Sequence, residues 1–264
     1  MKKSGGVVIA LAAAFLLAGC AGTGGGVSDE RELPTSSDQT DGQRRARIRL
    51  QLAVGYYQQH QLPVALDELK LALQADPGFA EAYSMRGLVY MDMGEMRLAE
   101  DNFQQALRLA PQSPEFNNNY GWLLCQSGRP EQSIAYFETA LKSRNYQSPA
   151  KALNNAGVCS QRMKDTVAAE RYLNEAFKLE PGNVSTSLNL AKLNYDRRDY
   201  EKARFYISRV TRSDSLSADA LWQAIKIERK LGDRTAELSL VTQLGRRFPS
   251  STEFAAYQRG AFDE

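Results

Sequence analysis

From Ala46 onward, small and large apolar residues recur among polar ones at offsets that repeat every 34 residues. The window 80–113 shows the pattern in full: Tyr83, Gly87, Tyr90, Gly94, Ala99, Phe103, Ala106 and Pro111 occupy places 4, 8, 11, 15, 20, 24, 27 and 32. Each offset has a physical reason. Small residues at places 8, 20 and 27 let two helices approach closely, and large ones at 4, 11 and 24 fill the space beside them. Glycine near place 15 suits a turn between those helices, and proline at place 32 stops the second helix before the next unit begins. Asp76-Pro77, Ala110-Pro111, Glu180-Pro181 and Phe248-Pro249 repeat that stop, 34, 70 and 68 residues apart.

A 34-residue helix-turn-helix period is that of tetratricopeptide repeats, and it predicts an all-α superhelix of about six units over 46–264. Unit 46–79 supplies Tyr56, Ala65, Leu69, Ala72 and Pro77; unit 80–113 is the best match; unit 150–183 supplies Leu153, Gly157, Ala169, Leu173, Ala176 and Pro181. Unit 114–149 keeps Gly121, Gly128, Phe137 and Ala140, but has Ser133 at the alanine place and runs two residues over length. Unit 184–217 keeps Ala191, Tyr200, Ala203 and Ile207, with Ser215 where proline is expected. Unit 218–251 keeps Gly232 and Pro249 yet puts Glu237 at the alanine place, which leaves its inner packing open. No unit buries its apolar face alone, so the last one needs a cover. Phe254, Tyr257 and Phe262 predict a capping helix in 252–264. Tyr83, Tyr90, Phe103, Phe137 and Phe205 are read as core.

The N-terminus has a different pattern. Lys2 and Lys3 precede an apolar run, Val7 to Ala18, the layout of a secretory signal. That run is shorter than the about 20 residues a bilayer-spanning helix needs. It ends in Leu17-Ala18-Gly19-Cys20, which resembles the bacterial lipobox. The resemblance implies removal of residues 1–19 and a diacylglycerol-modified Cys20 as the first mature residue; Ala21, rather than Asp, implies carriage to the outer membrane. One acyl chain binds reversibly and two or more hold firmly. Residues 20–45 are then a leash, since the Gly, Ser, Thr and Asp of 21–43 have almost nothing to bury. A flexible chain of that length reaches about 25 Å.

Charge adds little. The chain has 33 basic and 31 acidic residues, and loss of Lys2 and Lys3 with the signal balances them, so no net charge draws the protein to nucleic acid. The cluster Arg44, Arg45, Arg47 and Arg49 reads as a solvated helix face. His60 is the only histidine and falls in an interhelical loop. Cys125 and Cys159 have neither CxxC spacing nor a second histidine, so neither a metal site nor a nucleophilic triad has its parts. They fall at places 12 and 10 of neighbouring first helices, where a disulfide demands favourable geometry; two buried free thiols are the expected state. No phosphate-binding glycine loop occurs. The chain reads as a non-enzyme without cofactor or small-molecule substrate, its only covalent addition being the lipid on Cys20.

In tetratricopeptide folds, places 2, 5, 9, 12 and 13 of each first helix face the concave side. That rule predicts a partner-binding groove of Leu50, Val54 and Tyr57, then Leu88, Met91 and Asp92, then Asn118, Trp122, Cys125 and Gln126. Asn154, Val158 and Arg162 follow, then Leu188, Lys192 and Tyr195. Such a surface is apolar with a scattered polar rim, suited to an amphipathic helix or an extended peptide.

The stretches FNNNYGWLLCQSGRPEQSIAYFETAL, from Phe116, and ALNNAGVCSQRMKDTVAAERYLNEAFKLEPG, from Ala152, together with six units behind a lipobox, resemble the PilF/PilW family of type IV pilus biogenesis lipoproteins. The resemblance implies pilotin action: binding of secretin subunits, the ring-forming channel proteins through which pili emerge, and help for them to reach and assemble in the outer membrane. It implies anchorage on the periplasmic face of the outer membrane by lipid. A periplasmic scaffold for peptidoglycan-synthesis or outer-membrane assembly machinery is the alternative that shares the same lipobox and repeats.

Overall fold

The computed structural model describes residues 38–213 and 216–262. The signal segment, Cys20, most of the leash and Ser215 lie outside the described residues. The chain divides between Gln39 and Thr40, and the α-helices of the described residues belong to the part that starts at Thr40.

The helices pair in chain order. The hairpins are α1 (Asp41–Gln58) with α2 (Leu62–Ala75), α3 (Ala80–Asp92) with α4 (Met96–Leu109), and α5 (Pro114–Gln126) with α6 (Pro130–Leu141). They continue with α7 (Pro149–Arg162) and α8 (Thr166–Leu179), α9 (Val184–Asp196) and α10 (Tyr200–Val210), and α11 (Ala218–Leu231) and α12 (Arg234–Arg247); α13 (Thr252–Arg259) closes the series. Each second helix also packs on the next unit's first helix, and successive first helices touch one another. The result is the all-α tetratricopeptide superhelix with a C-terminal capping helix.

Two boundaries depart from expectation. Helix α1 begins at Asp41, so residues 41–45 are helix and not leash. A capping box starts it: Thr40 Oγ1 accepts from the Gln43 amide and Gln43 Oε1 accepts from the Thr40 amide, an arrangement that satisfies two otherwise orphaned donors. Helix α7 begins at Pro149, one residue early.

The core follows the small-large logic of the repeat. A Cβ added at Gly87 would lie 2.7 Å from the Phe103 ring; at Gly121 the same atom meets Phe137 at 2.9 Å, and at Gly157 it meets Leu173 at 2.6 Å. Place 8 therefore receives the side chain of place 24 in three successive units. Place 15 is equally consistent. Gly94, Gly128 and Gly232 have φ near +80°, and His60, Lys164 and Arg198 at the same place have φ of 61–63°. The lone histidine thus sits at the left-handed turn that every hairpin needs.

The irregular units close by local compensation. Ser133, fully buried at the alanine place, donates to the Pro130 carbonyl at 2.6 Å. Glu237, 2 % exposed, is neutralised by Arg229 at 3.1 Å and Arg234 at 2.9 Å, so the sixth hairpin forms around a paired charge. Beyond it Phe254 and Tyr257 pack on the last core cluster, and Phe262 stacks on Trp222 with ring centroids 5.2 Å apart. Phe103 and Phe137 are fully buried and Tyr83 and Tyr90 half-buried. Phe205 is not core as expected: at place 22 it is 49 % exposed, while its neighbour Tyr206 turns inward beside Phe177.

Candidate partner-binding groove

First helices line a concave cavity of about 520 Å³ that crosses five units. It runs diagonally. Units one and two contribute the C-terminal parts of α1 and α3, through Tyr57, Leu88, Met91 and Asp92; units four and five contribute the N-terminal parts of α7 and α9, through Lys151, Asn154, Ser185 and Leu188. Trp122 and Val158 stand between them. The apolar side chains come from places 9 and 12 on one side and place 5 on the other, because the stack twists between its ends.

Nine of the sixteen residues expected in the groove meet here: Tyr57, Leu88, Met91, Asp92, Asn118, Trp122, Asn154, Val158 and Leu188. Leu50 and Val54 do not; they are half-buried against the first core cluster. Tyr195 lines a separate cavity at the far end. The expected polar rim is mostly engaged within the chain. Lys192 reaches Asp219 at 2.7 Å, and Arg162 donates to the Cys125 carbonyl at 2.8 Å and to Gln126 Oε1 at 2.9 Å while lying 5.9 Å from the Trp122 ring. Burial first, and then the hydrogen-bonded Asp92 carboxylate, push the Tyr57 hydroxyl up to about 12, so it stays a donor.

The expectation of free thiols is wrong. Cys125 and Cys159 are joined by a disulfide with Cα atoms 5.8 Å apart, tying α5 to α7. The bond lies in the same cluster against which Trp122 packs, so it braces the floor of the groove.

A second device was not foreseen. Asparagine at place 6 of one unit donates to place 5 of the unit before: Asn119 to Ser84 Oγ at 3.2 Å, Asn155 to Asn118 Oδ1 at 3.0 Å, and Asn189 to Asn154 Oδ1 at 3.0 Å. Asn118, 2 % exposed, is thus a rung of this ladder more than a contact surface. The doubled asparagines of NNYG and NNAG carried the signal, which becomes legible once place 6 is compared with place 5 of the preceding unit. The ladder ends at unit six. There Gln223 holds place 6, but place 5 of unit five is Leu188, which offers no acceptor; Gln223 Nε2, on a residue 4 % exposed, has no partner among the described residues. An unmet buried donor costs about 1–3 kcal/mol. Gln223→Met is therefore expected to raise the melting temperature by about 2–4 °C per kcal/mol regained; an unchanged or lower value in thermal unfolding would refute the missing rung.

Comparison with known proteins agrees with this architecture. The tetratricopeptide-repeat family profile matches residues 50–114, 84–148 and 121–184, and a second profile of that description matches 162–226. The type IV pilus assembly protein PilF of Pseudomonas aeruginosa is 28% identical over 252 residues, 96% of this chain and 99% of that protein. Among solved structures, PilW, described as a widely conserved type IV pilus biogenesis factor, superposes with a TM-score of 0.75 at 32% identity, covering 81% of this chain and 98% of that one. Pseudomonas aeruginosa PilF superposes with a TM-score of 0.74 at 27% identity, over 84% of this chain and 100% of that one.

Proposed function

The chain belongs to the tetratricopeptide-repeat family, in the group of the type IV pilus biogenesis proteins PilF and PilW, and from that premise we propose that it is an outer-membrane pilotin. In this reading Cys20 carries the lipid that holds the protein on the periplasmic face. The leash lets the superhelix reach out from the surface. The concave groove shelters an exposed segment of a secretin subunit until the ring assembles. The observation that supports it most is the cavity of about 520 Å³ shared by five first helices, with Leu88, Met91, Trp122, Val158 and Leu188 among its walls; a stack built only to be rigid would leave such places free to carry charge.

Deletion of the gene should abolish pili and leave secretin subunits as monomers outside the outer-membrane fraction. Complementation by Cys20→Ser should restore a folded protein in the periplasmic extract but not the secretin multimers in the outer membrane, because acyl burial at about 0.8 kcal/mol per methylene is the anchor. Cys20→Ser protein that still fractionates with the outer membrane and carries acyl chains would refute the anchor. Capture of cell-wall synthases instead of a secretin by the wild-type protein would favour the scaffold reading.

A further inference from the structure

Places 3, 7 and 10 of each first helix stand at i, i+4 and i+7, so they form one stripe. In units two to six the stripe is buried, apart from the half-buried Arg86, and it packs on the unit before. Tyr120 joins Ala99 and Phe103 of unit two, Cys159 is bonded to Cys125 of unit three, and Leu190 joins Ala169 and Leu173 of unit four. Unit one has no helix before it among the described residues. Its stripe is Ile48, 56 % exposed, Leu52, 43 % exposed, and the half-exposed Gly55. We propose that a second copy of this chain covers it: two α1 helices pack antiparallel about a two-fold axis to make a homodimer.

Gly55 has no role within one chain. It lies inside α1 and outside the left-handed region, and a Cβ built on it meets nothing within 4 Å. At the other helical glycines, Gly42, Gly87, Gly121, Gly157 and Gly245, the same atom would strike a neighbour at 2.6–2.9 Å. Glycine weakens a helix interior, so its presence here calls for a contact that one copy does not supply. An antiparallel pairing centred between Gln51 and Leu52 supplies it, because Ile48 of each copy then stands opposite Gly55 of the other. That is the large-on-small contact by which the hairpins themselves close.

Charge selects the antiparallel direction. Asp41, Arg44, Arg45, Arg47 and Arg49 all lie in the first half of α1, and residues 50–58 carry no charge. Antiparallel pairing sets each charged half against the other copy's uncharged half, near the helix C-terminus where cations are favourable. Parallel pairing would set arginine on arginine. Other covers from this chain are poorer. The C-terminal end is closed by α13, which packs on α11 and α12, so copies do not stack head to tail. Between Cys20 and Thr40 the sequence has only Val27, Leu33 and Pro34 as sizeable apolar residues, too few to bury the stripe. On the groove reading above, such a dimer holds two partner segments at once; the dimer itself does not depend on that reading, and its test involves no partner.

The contact is one helix wide, below the about 1,200–2,000 Å² of a stable complex, so a weak dimer is expected, with a Kd of about 0.1 mM. The test uses the mature chain from residue 20 with Cys20→Ser, which needs no lipid, in sedimentation equilibrium at concentrations up to about 1 mM. Leu52→Glu and Gly55→Leu should each raise the Kd about tenfold or more. Helical content should be unchanged in both. Gly55→Leu should leave the melting temperature of dilute protein equal or higher, since a Cβ there meets nothing in the monomer. Gln51→Cys is then the only free thiol, because Cys125 and Cys159 are bonded to each other. A short bis-maleimide should join it into dimers, and Lys142→Cys should stay monomeric. Wild-type protein that is monomeric at every concentration, a dimer indifferent to both stripe variants, or equal crosslinking at 51 and 142 would each overturn the proposal. A monomer that instead binds phosphatidylglycerol vesicles, and loses them on Leu52→Glu, would overturn it too and assign the stripe to a lipid surface.

Discussion

Replacing Cys125 and Cys159 together with alanine is expected to destabilise the protein by about 3–4 kcal/mol. The bond spans a sequence separation of 34 residues, and closing a loop of that length in the unfolded chain corresponds to about 3.8 kcal/mol on the chain-entropy estimate. Both positions are buried, 0–1 % exposed, so each lost sulfur also leaves a small void between α5 and α7. For a chain of this size the melting temperature should fall by roughly 7–15 °C. The oxidised wild type should lose a similar amount on addition of a reductant that reaches the bond, while the double alanine variant should not respond to reductant at all. Equal melting temperatures for wild type and variant under oxidising conditions would refute the bracing role. A disulfide at this position fits the proposed periplasmic location, because such bonds persist outside the reducing cytosol.

The fold was legible because the repeat is written in side-chain volume. Gly87 opposite Phe103, Gly121 opposite Phe137 and Gly157 opposite Leu173 are one contact repeated three times, and a contact repeated at a fixed period can be read without coordinates. The start of α1 was less legible. Its first turns carry Asp41, Gln43, Arg44 and Arg45, which have the composition of a linker, and only the Thr40–Gln43 capping box separates them from one. Phe205 was misplaced for a related reason. Position 22 lies beside the inward row, and Tyr206 one residue later packs on Phe177 of α8 in its stead.

The site was legible by rule and blurred by twist. The inward places identified nine groove residues, but one set of places applied to every unit describes a straight trough, whereas the cavity drifts from places 9 and 12 toward places 2 and 5 along the stack. Leu50 and Val54, two turns and one turn before Tyr57 in α1, are left behind against the core, and Tyr195, late in α9, lines the separate cavity at the far end instead. The asparagine ladder and the disulfide depend on offsets between units. A reading made one unit at a time does not measure those offsets.

Trp122→Ala is expected to weaken secretin binding by about 2 kcal/mol or more, roughly thirtyfold, the size typical of an aromatic anchor at an interface centre. Trp122 is half-buried: one side packs on the disulfide cluster with Ile134 and Leu141, and the other lines the cavity between Leu88 and Val158. It is thus fixed in place with a surface still open, which lowers the entropy lost when a partner docks. Leu88→Asp and Val158→Asp should act alike, since each sets an unpaired charge where an apolar segment is buried. Lys142→Ala, at the exposed C-cap of α6, should change nothing. Because Trp122 also supports the core, the comparison holds only for variants whose helical content matches wild type and which remain folded at the assay temperature. Val158→Asp guards against a pure stability effect, because Val158 lines the cavity outside the core clusters, whereas Leu88 also packs on two of them. If all three groove variants fold and secretin multimers still form at wild-type levels, the secretin does not bind in the diagonal cavity, and the half-exposed Phe205 beside Arg209 on the outer face becomes the surface to mutate next.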